Sequence, residues 1–166
     1  MIGSLLFASL MQVPAPTQEI LTAPSYDESI PTLEEVVGHG FREEITHPDE
    51  IATYFRALAD AAPDRSRLIQ YAESWEGRPL HVLVIGSPER IADLEGVKAD
   101  LARFSAVKGL SSDEIEELIA KLPVVTALMH GIHGNEISSN GAAMAEAYHL
   151  LAAEGDATVD MILRES

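Results

Sequence analysis

A continuous apolar run, Pro123-Val124-Val125-Thr126-Ala127-Leu128-Met129, passes directly into His130-Gly131-Ile132-His133-Gly134-Asn135-Glu136 and then into a helical pattern. The run has the length of a strand and no polar face, which predicts a central strand over Val124 to Met129 buried on both sides. Beyond Glu136, Ile137, Ala143, Met144, Ala147, Leu150 and Leu151 mark a helix to about Ala153. Gly155 ends it, and Asp156 is placed to cap a short helix through Leu163. Strand, tight turn and helix in that order predict an α/β fold, in which the carboxyl end of a strand is where chemistry is usually housed. Gly131 and Gly134 supply the freedom that a sharp turn needs.

The turn carries the chemistry. His133 and Glu136 stand three residues apart; a strand would send them to opposite faces, whereas a helical turn brings them together. Imidazole nitrogen and carboxylate oxygen are both zinc donors, and a His₂Glu set with an open position is one catalytic solution. The chain has no cysteine, so disulfides and thiolate ligands are excluded and any metal is held by N and O donors. His130 and His133 also stand three apart, which leaves a His-x-x-His pair with Glu136 as base as a second arrangement. His149 falls within the following helix and is not expected to be a ligand. His39, His47 and His81 have no metal spacing.

Upstream, Ile51, Tyr54, Phe55, Leu58 and Ala62 recur at spacings of three and four and predict an amphipathic helix from Asp49 to Ala62. Arg67 to Glu73 and Leu80 to Ile85 read as two strands joined by a turn at Glu76-Gly77. Glu76 and Arg78 read as a turn-stabilising pair, and Trp75, the only tryptophan, as a packed residue. Residues 87–122 hold two helical patterns, one over Pro88 to Phe104 and one that starts with Ser111 and Glu114 at capping-box spacing. Residues 16–44, with Pro16, Pro24 and Pro31 among polar spacers, read as a lead-in or linker.

An apolar fraction of 46% over 166 residues fits a globular domain. A net charge of −16 argues against a nucleic-acid partner, since phosphate neutralisation needs clustered Lys and Arg. Ile2 to Met11 is apolar but too short to span a bilayer. With Val13-Pro14-Ala15 as a cleavage site, residues 1–15 read as a secretory signal, which implies a secreted or periplasmic protein; the positive segment of such a signal is lacking, because no Lys or Arg precedes Arg42.

The turn His133-Gly134-Asn135-Glu136 resembles the first metal motif of the M14 zinc carboxypeptidases. Ser74-Trp75-Glu76-Gly77-Arg78-Pro79-Leu80 is similar to a hairpin near the start of that family's domain, and Asp49 to Ala62 resembles its first helix. The resemblance implies an α/β domain with a mixed sheet flanked by helices, of which residues 45–166 are the N-terminal part, incomplete at the C-terminus, with residues 87–122 as a helical insertion. It implies one zinc ion held by His133 and Glu136, and a third protein ligand, a general base and a carboxylate-binding arginine beyond Ser166. The implied activity is hydrolysis of C-terminal peptide bonds in peptides or proteins, with this stretch inactive alone. Digestive members often carry arginine where Asn135 stands, so their substrate preference does not transfer. His-Gly-Asn-Glu also resembles the zinc deacylases of the aspartoacylase and succinylglutamate desuccinylase branch, and a non-catalytic recognition module is the third reading. The long segment ahead of the motif favours the peptidase.

Overall fold

The computed structural model describes residues 21–106 and 108–166. In chain order these form β1 (Ser25–Tyr26), α1 (Leu33–Val37), α2 (Pro48–Ala61), β2 (Ser66–Glu73), β3 (Pro79–Ile85), α3 (Pro88–Ala92), α4 (Leu94–Ala106), α5 (Ser112–Lys121), α6 (Ile137–Ala152), β4 (Ala153–Glu154) and α7 (Ala157–Glu165). The signal expected over residues 1–15 lies outside the described residues.

The core forms where α2 meets α6. The apolar stripe foreseen on α2 places Tyr54 and Leu58 out of solvent against Met144, Ala147 and Leu151 of α6, with Ile30 and Leu33 closing one side. Pro48 occupies the first turn of α2, where its missing N–H costs nothing. The Tyr54 hydroxyl, carried into this apolar setting, donates to the Pro31 carbonyl at 3.2 Å. Burial pushes its acidity well below that of a free phenol.

β2 and β3 form the expected antiparallel hairpin, with Leu68 opposite Leu83 and Ile69 opposite Val82. At the turn, Gly77 takes φ +74°, and the Ser74 N–H donates to the Arg78 carbonyl at 2.7 Å. Glu76 and Arg78 pair at 3.1 Å, as the sequence suggests. Trp75 is a correction: it is fully exposed instead of packed. Burial along the hairpin falls away from Ser66 and Ile85 toward the turn, so the tip carrying Trp75 projects past the layer that covers the base.

Four further expectations change. Val124 to Met129 is not a buried central strand: it runs without a ladder, and Val124, Val125, Leu128 and Met129 are all exposed. A strand exists only where a neighbour accepts its hydrogen bonds; among the described residues the run has one such backbone bond, from the Val124 N–H to the Glu165 carbonyl at 2.8 Å. The mixed sheet implied by the resemblance is accordingly two separate two-stranded antiparallel sheets, β1–β4 and β2–β3, among helices. The single helical pattern over Pro88 to Phe104 is two helices, because Asp93 ends α3 and lays its carboxylate against Gly96 of α4. Residues 21–44, read as part of a lead-in, carry structure of their own: β1 pairs with β4, and Ile30 and Leu33 enter the core.

Candidate metal centre

Residues 131–136 connect the extended run to α6 in a tight turn. The Glu136 N–H donates to the His133 carbonyl at 3.0 Å, so the two residues close one hydrogen-bonded turn, as their spacing predicts. Glu136 is the N-cap of α6, yet its side chain caps nothing. Gly131 takes φ +69°, and a Cβ there would come within 2.9 Å of the Asn140 Oδ1. Of the two glycines singled out in the sequence, Gly131 alone uses left-handed backbone.

Three further bonds tie the turn to the helix. The Gly131 N–H donates to the Ser139 Oγ at 3.0 Å, the Ser139 hydroxyl donates to the Glu136 carbonyl at 3.3 Å, and the Ser139 N–H reaches that same carbonyl at 3.4 Å. Ser139 was not legible as part of this site, since its bond to Gly131 spans eight residues and depends on the path of the loop.

His133 and Glu136 are exposed, and neither side chain makes a hydrogen bond or ion pair among the described residues. His130 differs. Its Nε2 lies 3.6 Å from the Glu146 Oε2 on α6. His149 is buried between two partners, with its Nδ1 3.1 Å from the Tyr26 hydroxyl and its Nε2 3.5 Å from the Asp156 Oδ2. The Asp156 carboxyl is held below the usual carboxylate range, chiefly by the backbone N–H groups of Val159 and Thr158 and further by His149. A ring tied at both nitrogens is a structural element, not a ligand in waiting.

Imidazole nitrogen and carboxylate oxygen are both donors that zinc accepts, and here one of each stands exposed at the entry to a helix, without a partner among the described residues. No group of three or more potential ligands comes together among the described residues. Nor is any helix among them long and apolar enough to cross a membrane.

Residues 51–166 match the family model described as zinc carboxypeptidase. No curated protein and no solved structure matches the chain significantly.

Proposed function

Because the chain belongs to the zinc carboxypeptidase family, we propose that it is the N-terminal part of a metallocarboxypeptidase that removes residues from peptide or protein C-termini. The observation that carries this reading is a family match that runs through both the β2–β3 hairpin and the His133–Glu136 turn. Within it, His133 supplies a neutral ring nitrogen and Glu136 a carboxylate oxygen to one zinc ion. Their freedom from other partners among the described residues supports that role, and the frame of the family motif favours His133 with Glu136 over the alternative His130–His133 pair. When bound, zinc polarises the scissile carbonyl and lowers the pKa of a bound water. The third ligand, the base that takes the water's proton and the arginine that meets the substrate's terminal carboxylate are supplied, on this reading, by polypeptide outside residues 21–166. Asn135 brings no charge to the turn, so the terminal-residue preference of the digestive members does not transfer. Secretion or a periplasmic location belongs to the same reading.

The test is metal content of the purified full-length protein. His133→Ala and Glu136→Ala each lose most of their zinc, while His130→Ala keeps most of its own. Zinc occupancy equal to wild type in both of the first two variants removes the assignment.

A further inference from the structure

Little in its surroundings fixes the path of the loop that presents His133 and Glu136. Residues 131–138 are exposed, so side-chain packing does not hold them. The Glu136 side chain does not cap α6, so the carboxylate is not tied to the helix it introduces. Gly131 enters the loop in left-handed backbone, a conformation that glycine adopts without needing to be locked there. One side chain spans the loop from end to end. A serine hydroxyl has one proton to donate and lone pairs to accept, and Ser139 uses both capacities, accepting from the Gly131 N–H at 3.0 Å and donating to the Glu136 carbonyl at 3.3 Å. The first bond fastens the start of the loop to α6, and the second fastens its end at the ligand residue itself.

We infer that Ser139 is a positioning residue of the metal centre, whose hydroxyl holds the 131–136 loop in the shape that presents His133 and Glu136 to one ion. The inference rests on the reading of those two residues as ligands. A loop held in its binding shape before the metal arrives spares the ordering cost at the moment of binding, so the effect is on affinity. Partners that orient ligands typically change metal affinity 10- to 100-fold when removed.

Two measurements on full-length protein test this. Zinc affinity is read by competition with a chromophoric chelator, and exchange of the Gly131 amide is followed by NMR in metal-free protein. The variants are Ser139→Ala, Ser139→Thr, which keeps a hydroxyl, and Ser138→Ala, an exposed neighbour as control. Ser139→Ala is expected to bind zinc about tenfold more weakly or worse and to exchange the Gly131 amide faster. Its metal-free melting temperature is expected to match that of Ser138→Ala, and Ser139→Thr to restore both affinity and protection. Unchanged Gly131 exchange in Ser139→Ala shows that the hydroxyl does not fasten the loop and overturns the inference. Faster exchange with wild-type affinity overturns the positioning role. A wild type that binds zinc no more tightly than His133→Ala overturns the metal reading itself, while the exchange rates still decide whether Ser139 fastens the loop.

Discussion

Three of the six histidines, His39, His130 and His149, lean on a carboxylate, at 3.9 Å from Glu50, 3.6 Å from Glu146 and 3.5 Å from Asp156. His133, like His47 and His81, leans on none among the described residues; its candidacy as a ligand rests on the turn it shares with Glu136, whereas the three paired histidines have structural work. His149 makes the difference testable. It is buried, it joins β1 to the start of α7 through Tyr26 and Asp156, and Tyr26 stacks on its neighbour Tyr148 with ring centroids 5.5 Å apart. Replacing it by alanine removes the ring nitrogen that partners the Tyr26 hydroxyl and opens space beside the stack. The expected cost is about 1–3 kcal/mol, read as a lower urea midpoint, with zinc content unchanged. Loss of zinc in a folded His149→Ala protein would instead make it a ligand. The sequence allowed His149 to be set aside, because it falls within a helix away from the motif. It gave no sign of Tyr26 as a partner, 123 residues away. A local pattern reports what a residue can do within a turn or two, whereas its distant partner depends on how the chain folds back.

At the scale of elements, the helix starts were the most legible features, because a cap is decided within four residues. Ser111 and Glu114 form the reciprocal capping box expected of them, and Thr32 with Glu35 forms another in a stretch that reads as a linker. Asp156 accepts from the N–H groups of Thr158 and Val159, as its position predicts. The break at Asp93 escaped notice because apolar spacing continues across it, and the β1–β4 pairing escaped because two-residue strands carry no periodic signal. The capping carboxylates set a pH dependence. Backbone N–H donors, from Thr32 to Glu35 and from Ser111 to Glu114, hold these groups below their ordinary value of 4.5. The unfolded chain therefore binds more protons than the folded one as the solution is acidified, so stability falls with falling pH. The contribution is complete above about pH 4.5 and is lost as pH drops through the depressed folded values. Melting temperatures taken from neutral pH downward should be flatter below that point for the double variant Glu35→Gln, Glu114→Gln than for wild type. Parallel curves would show that the caps contribute no proton linkage. In the core, Leu58→Ala removes a fully buried side chain from the α2–α6 contact and is expected to cost about 2–5 kcal/mol. A loss well under that range in a chemical melt would mean that this contact does not anchor the domain.

The described residues join a well-buried centre to open apolar stretches. Around Tyr54, Leu58, Met144 and Leu151 it is closed, while Val124, Val125, Leu128, Met129 and Ile132 lie open along one stretch and Tyr71, Trp75 and Val82 lie open on the hairpin. Composition predicts a strand for the apolar run, but a strand also needs a neighbour along its length, and the described residues offer the run a single backbone bond. Two consequences follow for residues 1–166 in isolation. With two free donors and no third potential ligand grouped with them among the described residues, this stretch is expected to release no C-terminal residues from peptides above background; zinc-dependent release abolished by His133→Ala would show that the catalytic set is complete within it. The second consequence is colloidal. Exposed apolar stretches of this size and an unpaired extended segment favour association, edge to edge and face to face. Against that stands a net charge of −16, whose repulsion acts over about 30 Å at 0.01 M salt and only about 3 Å at 1 M. The isolated chain should therefore stay dispersed and bind an apolar dye at low salt, then aggregate as sodium chloride is raised, with light scattering increasing as dye-accessible surface is buried between chains. Arg substitutions at Val125 and Leu128, which break the apolar run without touching the buried core, should raise the salt concentration at which scattering begins. Scattering that stays flat to 1 M salt, about a 3 Å screening length, together with absent dye binding, would mean that these surfaces are covered in solution by a packing of this chain other than the one described.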